Sequence, residues 1–206
     1  VTGLHITEGY GLSETSPVVT FNVSGPKEFT ATIGIPVPST DVSLRDEDGN
    51  KVKQGEPGEL CVKGPQVMQE YWRKPNETAA VTTNDGYFRT GDVALMDAEG
   101  RFKIVDRIKD MILVSGFNVY PNEIEAVVAN LDGVLEAACI GIPDERTDEA
   151  VKLFVVKSPG KDISAEDVIT FCRDNLTAYK VPKHIAFINE LPKSAVGKIL
   201  RRELRD

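Results

Sequence analysis

The sequence is short of cysteine, of long apolar runs and of positive charge, and each shortage removes a class of function. Its three cysteines, Cys61, Cys139 and Cys172, are odd in number and far apart. They match neither a disulfide framework nor the paired spacing of a zinc site, so free thiols in a reducing, cytoplasmic setting are expected. No apolar stretch reaches the ~18 residues that a membrane span requires. Lysine and arginine number 24 against 32 aspartates and glutamates, a formal net charge of −8. That balance argues against a nucleic-acid partner, because phosphate backbones are bound by a basic face. A signal-peptide pattern is missing too, and Val1 opens the sequence inside what reads as a strand-and-loop element. The expectation is a piece whose N-terminal part is missing.

A phosphate-binding P-loop is also lacking, although Gly197 and Lys198 in PKSAVGK (192–198) resemble half of one. The pattern G-x-x-x-x-G-K-[ST] needs an earlier glycine for the backbone to curl and a hydroxyl after the lysine. Pro192 and Ile199 stand at those positions. Read alone, Lys198 is a solvated lysine opening a basic C-terminal helix. The surrounding tail holds Lys193, Arg201, Arg202 and Arg205 against Glu203 and Asp206, which suits an anionic small ligand or a membrane surface.

What is present falls into two halves. Residues 1–106 carry 10 basic and 16 acidic side chains, and residues 107–206 carry 14 and 16. The first half is dense in Gly and Pro, with short apolar runs at TIGIPV (32–37), DVSLRD (41–46), GELCVKG (58–64), DVALMD (92–97) and RFKIVD (101–106). Asp48-Gly49-Asn50 and Glu99-Gly100 read as hairpin turns between such runs. A β-rich small barrel or curled sheet is expected, with one short helix over 74–83 capped by Asn76. After Arg107 the periodicity becomes helical at IEAVVANL (124–131), opened by Pro121 and closed by Asp132-Gly133. Strands are expected at 134–142, 151–157 and 184–188, and a helix over 168–176 behind a capping box at Ser164 with Asp167 in its third position. The fold class is therefore mixed α+β. A β-rich domain over 1–106 is followed by a small α+β domain over 107–206, with the boundary at 106–110.

Four segments carry candidate chemistry. In GYGLSE (9–14), Gly9 and Gly11 allow a close backbone approach and Tyr10 offers a ring for stacking. Ser13 could donate to a phosphate, and Glu14 could hold Mg²⁺, which takes one or two carboxylates plus phosphate oxygens. An ordinary turn explains the segment equally well. Asp92, in TGD (90–92), could accept both hydrogen bonds of a ribose diol or simply cap backbone N–H groups. DRIKDMI (106–112) reads as an edge strand or as a hinge, with Arg107 on a ligand and Lys109 taking the backbone rotation. Lys198, on a loop, could neutralise charge developing on phosphate oxygens.

Taken in order, GYGLSE, GELCVKG, YWRKP (71–75), TGD, DRIKD, SGFNVYPNEIE (115–125) and PKSAVGK resemble the adenylate-forming enzyme superfamily. NDGYFRTGDVALMDAEGRFKIVDRIKDMI (84–112) and LVSGFNVYPNEIE (113–125) look like the bacterial long-chain fatty acid–CoA ligases within it. The resemblance runs from Gly9 to the end. It implies the last part of a large AMP-binding domain, barrel-like, followed by the complete small lid domain.

By that resemblance, ATP, Mg²⁺ and CoA serve the activation of a long-chain fatty acid. The acid's carboxylate takes the α-phosphate of ATP to give an acyl-adenylate and pyrophosphate, and the CoA thiol then displaces AMP. Tyr10 and Gly11 would lie against the adenine, Ser13 on phosphate and Glu14 on Mg²⁺. Asp92 and Arg107 would hold the ribose hydroxyls, and Lys109 would be the hinge. Ser115, Gly116 and Phe117 would swing in for the thioester step, and Lys198 would reach the α-phosphate and the carboxylate in the first. The superfamily's phosphate-gripping loop and acyl pocket lie upstream of GYGLSE, so the piece alone is expected to be nearly inactive. Ser13 replaces the usual Thr with its hydroxyl kept, and Leu113 stands where some relatives place a lysine used in thiolation. Aryl or medium-chain acids are the alternative substrates. An interaction or regulatory module, with the basic tail as its contact, is the alternative function.

Overall fold

The computed structural model describes residues 7–22, 30–195 and 197–205. The strand-and-loop element expected at Val1 lies outside them. The chain divides into two compact units, Val1–Ile108 and Lys109–Asp206.

The first unit is built on antiparallel strands. β1 (Gly9–Gly11), β2 (Val18–Phe21) and β3 (Ile35–Pro36) form one sheet in that order. β4 (Asp41–Arg45), β5 (Gly58–Lys63), β6 (Phe88–Met96) and β7 (Phe102–Arg107) form a second, each strand paired with the next in the chain. Both are open paths, so a closed barrel does not form among the described residues. β5 is buried from Gly58 to Val62, which explains why its sequence does not alternate. Leu60 and Val62 pack with Val19, Leu44, Ala94 and Phe102. Glu59, buried in the same strand, is neutralised by Arg89 at 2.7 Å. An unpaired carboxylate there would cost several kcal/mol, about as much as a buried core side chain contributes.

Two expectations for this unit need correcting. The helix α1 covers only Pro75–Ala80, and its N-cap is Lys74, without a side-chain bond. Asn76 lies inside the helix, because Pro75 occupies the first helical position, where its fixed φ and missing N–H suit the start. The TIGIPV run contributes strand only at Ile35–Pro36, since Gly34 sits at φ 83 and breaks the extended backbone.

The second unit is a five-stranded sheet with two helices. β8 (Ile112–Val114) and β9 (Phe117–Val119) are a hairpin, α2 spans Pro121–Val128, β10 is Val134–Asp144 and β11 is Asp148–Lys157. α3 (Ala165–Asn175) and β12 (His184–Phe187) follow, and a 3₁₀ turn over Arg201–Leu204 ends the chain. The path is β10-β11-β8-β9, with β12 parallel to β11. β11 shows the period of two directly. Val151, Leu153 and Val155 pack with Ile124 and Val128 of α2 and Val168 and Cys172 of α3. Phe154 and Val156 belong to a separate cluster with Ala138, Ile140 and Leu191, covered by Ile199 and Leu204. The sheet is therefore buried on both faces, and the segment bearing Lys198 lies over the one away from the helices. α3 starts on the expected box: Ser164 Oγ accepts from Asp167 N at 3.2 Å and Asp167 Oδ2 from Ser164 N at 2.8 Å.

The three cysteines are free and buried. Burial pushes the thiols of Cys61 and Cys172 up to about 11. At pH 8 the thiolate fraction of each is then on the order of 10⁻³, against roughly a quarter for an ordinary thiol. Native protein should therefore resist a thiol-specific reagent at pH 8, and all three groups should react within minutes in denaturant. Rapid native labelling would contradict this burial.

Candidate nucleotide site and lysine loop

In the first unit, three of the expected residues meet. Tyr10 projects from β1, and its hydroxyl donates to Asp92 Oδ2 at 2.5 Å. Arg107, cross-strand partner of Asp92 on β7, brings Nε to Asp92 Oδ1 at 3.3 Å. Asp92 is buried while Arg107 is only half-buried, so the carboxylate closes the inner end and the guanidinium the outer. Burial, and then the hydrogen bond to Asp92, raise the Tyr10 hydroxyl far above its ordinary range, so it remains a donor at all working pH. Each Asp92 oxygen still has a lone-pair direction for another donor such as a ribose hydroxyl.

A bulge aims this carboxylate. Between the Cys61–Arg89 and Glu59–Val93 pairs, Leu60 alone opposes Thr90, Gly91 and Asp92. Gly91 adopts φ 72, and its N–H donates to Glu59 Oε1 at 3.2 Å. Thr90 Oγ1 donates to Leu60 O at 2.8 Å and accepts from Asp92 N at 3.1 Å. The extra residues turn Asp92 out of the regular ladder, the usual effect of a bulge beside a functional site.

The opening hairpin holds the rest of the set. Ser13 is exposed and Glu14 half-buried, in a 3₁₀ turn over Ser13–Thr15. Thr15, fully buried, donates to Pro17 O at 2.6 Å and accepts from Leu12 N at 3.0 Å, which fixes the turn. Glu14 Oε1 accepts from Tyr71 at 3.0 Å. Among the described residues, no cluster of three or more His, Cys, Asp or Glu could enclose a metal. A single carboxylate nevertheless fits Mg²⁺ that takes its other ligands from nucleotide phosphates and water. Gly11 has a packing reason of its own: a Cβ there would lie 1.7 Å from the Pro17 carbonyl oxygen.

In the second unit, Ser115 and Gly116 are the two-residue loop between β8 and β9, with φ 52 and 80. Positive φ at both positions is what a type I′ turn requires, and Ser115 bears it without being glycine. Phe117, 54% exposed, stacks on Tyr179 at 4.7 Å. Lys109 is exposed in the 3₁₀ turn Ile108–Asp110. Lys198 sits in a tight loop closed by the Lys193–Ile199 bridge. Its N–H donates to Ser194 Oγ at 3.1 Å, its carbonyl accepts from Ser194 N at 2.8 Å, and Gly197 turns the chain at φ 79. The side chain is exposed, and among the described residues none pairs with its ammonium group.

The family model described as AMP-binding enzyme matches residues 1–72, and that described as AMP-binding enzyme C-terminal domain matches residues 123–198. The chain belongs to the AMP-binding enzymes. Among its relatives, the long-chain-fatty-acid–CoA ligase of Yersinia pestis is 60% identical over 206 residues, covering all of this chain and 36% of the relative. That of Escherichia coli O6:H1 is 56% identical over the same span, again 36% of its own length. ATP-bound MatB from Rhodopseudomonas palustris superimposes with a TM-score of 0.93 at 35% identity, over 99% of this chain and 41% of that one. The chain thus spans about a third of the length of the curated relatives it matches.

Several contributors carry no signal in the sequence. Tyr71 lay inside YWRKP, where Glu14 as its acceptor leaves no local trace. Tyr179, which stacks on Phe117, carries no motif. Arg201 reads as tail charge in the sequence, yet it is tied into its own unit through Glu125 at 2.7 Å and Asn122 at 2.8 Å. Lys193 is likewise engaged, with Glu136 at 2.5 Å. Arg202, with a side chain 82% exposed, remains on the surface. No described helix is long and apolar enough to cross a membrane.

Proposed function

We propose that this chain forms part of an ATP-dependent ligase that activates a long-chain fatty acid to acyl-adenylate and then to acyl-CoA. Residues 1–106 supply the last part of its AMP-binding domain, residues 107–206 its small lid domain, and residues 106–110 the hinge. The observation that carries the reading is the Tyr10–Asp92–Arg107 cluster, in which a bulge and a cross-strand pair hold one buried carboxylate between a phenol and a guanidinium. The identity to the ligases of Yersinia pestis and Escherichia coli supports the long-chain acid over aryl or medium-chain acids.

In this reading Tyr10 and Gly11 line the adenine side, and Asp92 accepts from the ribose hydroxyls with Arg107 beside it. Ser13 donates to phosphate, and Glu14 would hold Mg²⁺, whose charge would offset that of the ATP phosphates. The acid's carboxylate oxygen bonds to the α-phosphorus as the bond to the β-phosphate bridge breaks, and pyrophosphate leaves. Two anions meet in that step, and the Lys198 ammonium bridges them where charge grows. The small domain then turns about Lys109 and brings Ser115, Gly116 and Phe117 to the CoA side. The thiol sulfur bonds to the acyl carbon, its proton is lost, and AMP departs. The setting is the cytoplasm, with exposed Arg202 available for peripheral contact with the inner membrane face.

The test is reconstitution. The full-length protein carrying this chain should convert ATP, CoA and a long-chain fatty acid to acyl-CoA, AMP and pyrophosphate. The 206-residue chain alone should show no ATP–pyrophosphate exchange above background. A full-length protein that binds a partner and forms no acyl-CoA would turn the reading over to an interaction module.

A further inference from the structure

We infer that Arg201 is a positioning residue that makes the hinge and the Lys198 loop move as one body. The inference rests on the proposed roles of Lys109 and Lys198. Its guanidinium lies 2.7 Å from Glu125 Oε2 and 2.8 Å from Asn122 Oδ1, both on α2, and 3.8 Å from Asp110 Oδ2, the residue after Lys109. Arg205, one turn on, donates to the Lys109 carbonyl at 3.4 Å and approaches Asp110 at 4.0 Å. The side chains of Arg201, Asp110 and Glu125 are 16%, 15% and 14% exposed, so these charges are largely withdrawn from water. Glu125 also accepts from Cys139 N at 2.8 Å, which ties the cluster to β10.

The placement is what gives the cluster a role beyond bracing. Arg201 follows Lys198 by three residues, and between them Ile199 closes the loop against Lys193 and packs over the sheet. One end of the cluster is thus joined to the loop that presents the ammonium group, and the other to the residue beside the pivot. A lysine on an exposed loop would otherwise sample many positions. A rotation at Lys109 would then deliver its loop only loosely, and a misplacement of about 1 Å can cost on the order of 10² in rate. Arginine suits the task because its planar fork holds two acceptors in fixed directions, which a lysine cannot do.

The test uses the full-length protein and the two half-reactions: ATP–pyrophosphate exchange for adenylation, and thioester formation from preformed acyl-adenylate. Asp110→Asn keeps the side-chain volume and removes the charge; Arg201→Ala removes the fork. Both should lower exchange by about 10- to 100-fold while thioester formation changes by less than about threefold, with the melting transition still above the assay temperature. A brace alone would lower the melting temperature and leave the two half-reactions in proportion. If Arg201→Ala does not fold, Asp110→Asn decides. Exchange within about threefold of wild type in Asp110→Asn, or an equal fall in both half-reactions, overturns the inference. Lys198→Ala in the same assay separates the premises. If it leaves exchange intact, the role of Lys198 fails and takes the tether with it. If it abolishes exchange while Asp110→Asn does not, the tether alone fails.

Discussion

Lys198→Ala in the full-length protein is expected to slow adenylation by 10²–10³-fold, the ~3–4 kcal/mol that one preorganised donor contributes to a developing oxyanion. Thioester formation from preformed acyl-adenylate should survive, because by then pyrophosphate has left and the two anions are joined. The asymmetry is the informative part. Lys198 is exposed and its loop is closed by backbone bonds to Ser194, so truncating the side chain removes no packing and should leave the melting temperature unchanged. Arginine at this position would keep the charge but not the compact ammonium, and should restore only part of the rate. Equal losses in both half-reactions would mean that the lysine serves binding or folding and not the first chemical step.

Gly11→Ala is expected to destabilise the first unit by about 3 kcal/mol, the upper range for forcing a group into a filled site. The added Cβ would lie 1.7 Å from the Pro17 carbonyl oxygen and 2.6 Å from its carbon, both backbone atoms that no rotamer change can move. Relief requires β1 to separate from β2, and β1 carries Tyr10. The denaturation midpoint should fall, and nucleotide affinity should fall with it as the Tyr10 hydroxyl leaves Asp92. Gly91→Ala is the contrasting change. Nothing lies within 4 Å of its added Cβ, so only the strain of φ 72 acts, about 1 kcal/mol. A Gly11→Ala protein with an unchanged midpoint would show that the opening hairpin is not packed as described.

Gly9 and Gly11 illustrate how far a residue type alone defines its role. Gly9 and Gly11 were expected to let a ligand approach the backbone; in the structure the approach is by Phe21 and by Pro17. Both readings predict glycine, and only the neighbour's identity separates them. TGD was open between a ribose acceptor and a backbone cap. The bulge gives Thr90 the backbone contacts and leaves the Asp92 carboxylate to Tyr10 and Arg107. Asn76 is not the cap, because the adjoining Pro75 sets the first helical residue and leaves Lys74 before it.

Local chemistry sufficed where the determinant lies within a few residues, as at the Ser164–Asp167 box and the strand over 151–157. Tertiary structure alone decided the pairs made across long separations. Tyr10 finds Asp92, Glu14 finds Tyr71, Phe117 finds Tyr179 and Arg201 finds Glu125. The reason is physical. A turn or a cap is satisfied by its own backbone, whereas a charge withdrawn from water takes whichever opposite partner the packing of distant strands and helices brings within reach. Arg201 is the clearest case, a tail charge in the sequence and a partner of Glu125 and Asn122 in the fold.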